Sequence, residues 1–161
     1  FIRVCELTLL QELIVENDQQ MQVLGKRLAA LLEKGDLVLL HGALGAGKTT
    51  MTKGIGKGLG AEGTIQSPTF VLARTHQTKS GTPFVHVDAY RLGSAVELDD
   101  LDIDFERSIV VIEWPRDFTQ GITDDWLEIE LSRDKQSDVR MVRISGFGKW
   151  QSREMTLDTG N

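Results

Sequence analysis

Two stretches of the chain are apolar without interruption, Leu-Val-Leu-Leu at 37–40 and Ile-Val-Val-Ile at 109–112. Runs of this length and branching suit strands buried on both faces, so both are predicted as central strands of a sheet. Residues 126–131 alternate apolar and acidic side chains, the pattern of a half-buried strand, with 139–144 as its expected neighbour. Residues 12–16, 69–75 and 84–88 also read as strands. The last two flank a Lys79-Ser80-Gly81 turn and are expected to pair as a hairpin.

Helical spacing appears in two places near the N-terminal half. Met21, Leu24, Leu28, Leu31 and Leu32 fall on one face of a helix that Asn17 or Asp18 can cap, with Gly35 as its stop. Met51, Ile55 and Leu59 mark a second helix over 50–59, where Gly54, Gly56 and Gly58 lower the intrinsic propensity and make tertiary packing necessary. Residues 92–101 predict a short third helix. The chain from Gly60 to Pro68 reads as loop, and residues 146–161, being polar, as a loose tail. Strands alternating with helices imply an α/β domain with a largely parallel sheet, and a length of 161 residues implies one domain over 1–161. In such sheets ligands bind beyond the carboxyl ends of the strands.

The first central run leads into Gly42, Ala43, Leu44, Gly45, Ala46, Gly47, Lys48, Thr49 and Thr50. This is the phosphate-loop pattern G-x-x-x-x-G-K-[ST], placed between a strand and a helix as its chemistry requires. Gly42, Gly45 and Gly47 allow positive φ and a close backbone approach. Backbone amides at the helix start then form an anion site. Lys48 can reach phosphates, and the Thr49 hydroxyl can bind Mg²⁺.

Two apolar strands end in an acid. Phe84-Val85-His86-Val87 leads to Asp88, and the 109–112 run leads to Glu113. A phosphate-loop NTPase needs an acid at such a strand end for the Mg²⁺ shell, and a group that orients the attacking water. His86 points away from Val85 and Val87, a position more often structural than catalytic. Trp114 suits either nucleotide stacking or packing. The acidic stretch containing Asp100, Asp102 and Asp104 lacks the glycine and the final glutamate of a calcium loop and reads as a solvated face.

The formal charge of −6 opposes a general nucleic-acid surface, so any such role is expected to run through a protein partner. The single Cys5 excludes an intrachain disulfide and a zinc set. No apolar run reaches membrane-spanning length, no signal peptide is expected, and the cytoplasm is the expected compartment.

The loop is followed in order by Ser67-Pro68-Thr69-Phe70, by His86-Val87-Asp88-Ala89-Tyr90-Arg91 and by Glu113-Trp114-Pro115. Over residues 20–131 this series resembles the TsaE (YjeE) family, small bacterial ATPases of tRNA threonylcarbamoyladenosine biosynthesis. The resemblance implies a P-loop NTPase-like three-layer fold, a mainly parallel central sheet with added antiparallel strands, ATP hydrolysis and Mg²⁺ dependence. It implies TsaB and TsaD as partners, with tRNA reached indirectly through TsaD, which transfers the threonylcarbamoyl group to the adenosine beside the anticodon. ATP hydrolysis would support repeated turnover, by a protein that is a monomer or weak oligomer when alone. Carried over, Lys48 binds phosphates, Thr49 and Glu113 resemble the Mg²⁺ ligands, and Asp88 resembles the acid near the γ-phosphate. Lys48, Asp88 and Glu113 are thus the expected catalytic set. The segment containing Thr69 resembles a switch-like loop that adds a nucleotide contact. Met21 stands near where the family often has Thr.

Two other classes use the same loop. A small-molecule or nucleoside kinase needs an acceptor pocket and an Arg-rich lid, and only Arg74 and Arg91 are candidates for phosphate contacts. A GTP switch needs N/T-K-x-D and D-x-x-G, and neither is present: Arg91 stands where the second would need Gly after Asp88.

Overall fold

The computed structural model describes residues 7–66 and 72–160. Among the described residues seven strands form one sheet: β1 (Thr8–Val15), β2 (Leu37–Gly42), β3 (Ala73–His76), β4 (Phe84–Asp88), β5 (Ile109–Glu113), β6 (Trp126–Arg133) and β7 (Arg140–Phe147). Their order across the sheet is β1-β7-β6-β2-β5-β4-β3. The centre is parallel, with β2 between β6 and β5 and β4 beyond β5. β7 and β1 extend one side antiparallel, and β3 closes the other as a hairpin with β4. This is the expected α/β architecture.

Alternation along the central strands splits the core into two layers. Val38, Leu40, Phe84, Ile109 and Val111 face α1 (Asp18–Ala29) and α2 (Lys48–Leu59). Leu37, Leu39, Val85, Val87, Val110 and Ile112 face the other way, against Leu92, Leu98 of α3 (Ala95–Asp99), Phe118 and Ile122. All four residues of each apolar run are buried, as strands covered on both faces require.

α1 begins where Asn17 Oδ1 accepts a hydrogen bond from the Gln20 amide at 2.9 Å, while Gln20 Oε1 accepts from the Glu16 amide. The two side chains satisfy donors that the helix start would leave open. The glycines of the two helices have a packing role. A Cβ on Gly25 would sit 2.4 Å from the Met51 carbonyl oxygen, and one on Gly54 2.2 Å from that of Gln22. The missing methyl groups let α1 and α2 touch backbone to backbone, and this offsets the poor helix propensity of α2.

Several boundaries differ from the expectation. β1 starts at Thr8, four residues early, because its pairing with β7 stabilises a stretch whose alternation is irregular. α1 ends at Ala29, leaving Leu31 39% exposed. α3 is confined to Ala95–Asp99, capped by Ser94. The loose tail expected over 146–161 is corrected: β7 continues to Phe147, and a 3-10 turn, Gly148–Ser152, follows. Trp150 is fully buried in the layer beneath α1 and α2. Leu157 exchanges two hydrogen bonds with Gln11, and Asp158 pairs with Arg27 at 2.8 Å. One buried indole outweighs the polar composition of its neighbours.

Candidate nucleotide site

The loop sits where β2 hands over to α2. Gly42, Gly45 and Gly47 adopt φ of 154°, 80° and 108°. At Gly42 a side chain would also meet the Leu131 carbonyl oxygen at 2.6 Å, so both conformation and space exclude one. Ala46 is buried in the core and anchors the loop. Leu44 projects from it, 90% exposed. Among the described residues no side chain caps the start of α2, so its first amides, in a stretch where Gly47, Lys48, Thr49 and Thr50 line the cleft, are left without a side-chain partner.

Lys48 is the first residue of α2 and is buried. Its Nζ donates to the carbonyl oxygens of Gly42 at 2.6 Å and Ala43 at 3.0 Å, and lies 4.0 Å from the Trp114 ring centroid. Burial lowers its pKa below 10.5, partly opposed by the negative charges of Glu113 and Asp88.

The acids arrive through strand geometry. β4 and β5 run side by side in parallel, and their register sets Asp88 opposite Glu113. Both follow the alternation that points Phe84 and Val111 at the α1–α2 layer. Glu113 is buried; its Oε1 accepts from the Thr49 hydroxyl at 3.2 Å, and its Oε2 meets His86 Nε2 at 2.5 Å. Asp88 Oδ1 accepts from the Tyr90 amide at 3.0 Å. The turn after β4 is held by Arg116, whose Nη2 donates to the carbonyls of Ala89, Tyr90 and Leu92. Trp114 and Arg116 hold φ of 57° and 46°, a conformation rare for bulky residues and common at functional sites.

A cavity of about 320 Å³ lies over the loop, lined by Gly45, Gly47, Lys48, Thr49, Thr50, Asp88, Glu113 and Trp114. The structure therefore gathers Lys48, Thr49, Asp88 and Glu113 around one space. Two residues that no sequence pattern indicated share it, Asp18 and Arg140. Arg140 opens β7 and donates to the carbonyls of Ala46 and Gly45 at 3.2 and 3.3 Å. Some 94 residues separate it from the loop, and no local signal marks such a contact. Met21 packs toward the loop from α1: a Cβ on Gly47 would sit 3.1 Å from its methyl carbon. Thr69, the remaining expected nucleotide contact, lies outside the described residues.

A parallel-centred sheet, a glycine loop between a central strand and a helix, and acids at the ends of the next two strands define a P-loop protein. The chain matches the family described as threonylcarbamoyl adenosine biosynthesis protein TsaE over residues 15–142, and it belongs to that family. That span extends the resemblance of residues 20–131 in both directions. A Streptomyces coelicolor protein is 46% identical over 148 residues, covering 87% of this chain and all of the relative. A Mycobacterium tuberculosis protein is 48% identical over 132 residues, covering 76% and 79%. A Bacillus subtilis protein is 32% identical over 135 residues, covering 82% and 83%. All three are named tRNA threonylcarbamoyladenosine biosynthesis protein TsaE. The crystal structure of Bacillus subtilis YdiB superimposes with a TM-score of 0.70 at 28% identity, covering 91% of this chain and 89% of that one.

Proposed function

We propose that this chain is the Mg²⁺-dependent ATPase subunit of tRNA threonylcarbamoyladenosine biosynthesis, hydrolysing ATP to support turnover of a TsaB–TsaD transferase that acts on the adenosine beside the anticodon. Family membership supports the place in tRNA modification. One observation supports the chemistry above the others: the loop lysine, the Thr49–Glu113 pair and Asp88 line a single cavity.

Lys48 and the first amides of α2 bind the phosphates. Lys48 exchanges the carbonyls of Gly42 and Ala43 for phosphate oxygens, which return more Coulombic energy in this shielded position. The Thr49 hydroxyl and the Glu113 carboxylate are hard oxygen donors 3.2 Å apart, and they fit a Mg²⁺ ion that completes its shell with phosphate and water. When bound, that ion neutralises charge developing on the phosphates. In this reading Asp88 is the acid near the γ-phosphate. The ATP base is read without guanine motifs. TsaD supplies the RNA contact that a chain of charge −6 is poorly suited to make.

Phosphate release from ATP, with Mg²⁺ and with a chelator, tests this reading in wild type and Lys48→Ala. Slow, Mg²⁺-dependent release is expected from wild type and none from the variant, whose circular dichroism is unchanged. A Lys48→Ala protein with the full rate would refute the loop assignment. Stoichiometric transfer of phosphate to an acceptor would identify a kinase instead. Co-purification with TsaB and TsaD, with and without ATP, tests the partners, and absence of any nucleotide-dependent association would undercut the complex while leaving the ATPase reading intact.

A further inference from the structure

His86 stands in the middle of β4 and is wholly buried. Alternation turns it away from Val85 and Val87 and onto the face that carries Glu113. Its Nε2 meets Glu113 Oε2 at 2.5 Å, while among the described residues its Nδ1 has no hydrogen-bond partner. A carboxylate only accepts, so the ring assigned from this network carries a hydrogen on Nε2 and leaves Nδ1 without a partner among the described residues.

That arrangement is poor as plain packing. Phe84, two residues earlier on the same face, is also fully buried, and a second aromatic hydrocarbon at 86 would strand no ring nitrogen. The buried polar edge costs stability, and what it secures is one contact, the grip on Glu113. The division of labour at that carboxylate is clean. Oε2 faces His86, and Oε1 faces the Thr49 hydroxyl. Holding one oxygen fixes the carboxyl plane and aims the other.

We propose that His86 is a positioning residue for Glu113: it orients the carboxylate so that Oε1 and Thr49 Oγ1 together receive a divalent cation. The inference rests on the Mg²⁺-nucleotide reading above. A histidine behind a ligating carboxylate acts by removing its rotational freedom, and outer partners of this kind typically set metal affinity by about 10- to 100-fold.

The test separates metal binding from nucleotide binding and from turnover. ADP affinity is measured without metal. Mn²⁺, standing in for Mg²⁺, is then titrated into the ADP-saturated full chain and followed by electron paramagnetic resonance. His86→Phe is expected to leave metal-free ADP affinity unchanged and to weaken Mn²⁺ about 10- to 100-fold. His86→Gln, which offers a side-chain N–H at comparable reach, is expected to restore most of the Mn²⁺ affinity. Where the Phe variant does not fold, His86→Met replaces it, since an unbranched side chain adapts to the space. Wild-type Mn²⁺ affinity in the Phe or Met variant overturns the inference, as does an equal loss of metal-free ADP binding, which marks a merely structural role. Wild-type protein that binds no Mn²⁺ with ADP present overturns the Mg²⁺-nucleotide reading itself, and the proposed role of His86 falls with it.

Discussion

The Lys48 ammonium lies 4.0 Å from the centroid of the Trp114 ring while donating to the carbonyls of Gly42 and Ala43. The lysine is thus held by groups of its own chain, and an arriving phosphate competes with them. A cation over an indole face contributes about 0.5–2 kcal/mol, which an anionic phosphate outcompetes. Nucleotide binding is therefore expected to change tryptophan fluorescence, and Trp114→Phe is expected to abolish the change while Trp126 and Trp150 still emit. A nucleotide response that survives in Trp114→Phe would mean that Trp126 or Trp150, and not the Lys48–Trp114 contact, reports binding.

Burial lowers the Lys48 pKa below 10.5, and the sign of the consequence follows from linkage. The folded chain disfavours the charged lysine, so the cost is fully present below the folded-state pKa. It is relieved as pH rises through that value toward 10.5. Against Lys48→Met, which has no such group, wild type should gain stability across this alkaline window. Phosphate affinity should fall in the same window, because the ammonium loses its proton earlier than an ordinary lysine. Thermal melts and nucleotide titrations of the two proteins from neutral pH upward check both halves, and parallel stability curves would contradict the first.

Thr49 and Glu113 are expected to act as a unit. Thr49→Val and Glu113→Gln should each raise the Mg²⁺ concentration needed for half-maximal hydrolysis by about tenfold or more. The double variant should be little worse than the worse single one, since residues sharing one ligand do not contribute additively. Fully additive effects in the cycle would show that the two oxygens serve separate purposes.

Gly54→Ala inverts the usual helix rule. Intrinsic propensity favours alanine by about 1 kcal/mol, yet its Cβ would lie 2.2 Å from the Gln22 carbonyl oxygen of α1. Pushing the helices apart is expected to leave a net loss of about 1–3 kcal/mol, read from chemical denaturation. A stabilised Gly54→Ala protein would contradict the backbone contact between α1 and α2.

Trp150→Ala is expected to cost about 3–5 kcal/mol, the usual range for deleting a large buried aromatic. Trp150 is wholly enclosed, so the segment after β7 belongs to the core. A loss near zero would mean that this segment is only loosely attached.

Much of the parallel centre was legible because it is local. The 37–40 and 109–112 runs carry their burial in four consecutive side chains, and Gly42, Gly45 and Gly47 carry their backbone requirement in the absence of a side chain. The Asn17 cap was legible for the same reason. Glu113 and Asp88 could be placed at strand ends, but the residues alone did not divide their roles. His86 read as structural because one-dimensional alternation says which face a side chain takes and not which neighbour it meets there. Trp150 was missed because a single indole in a polar stretch forms no periodic pattern.

By itself, then, the sequence determined the phosphate-loop motif, the alternation of strands and helices, and the family, since each depends on residue types at short fixed spacing. The tertiary structure decided which groups share the cleft. The strand order β2-β5-β4 and the register of Asp88 against Glu113 put both acids beside the loop. The pairing of β7 with β6 brought Arg140 to the loop carbonyls. The grip of His86 on Glu113 joined residues 27 positions apart. The physical reason is that strand order and register are settled by burying both faces of the whole sheet at once, a cooperative condition that no short window of the chain contains.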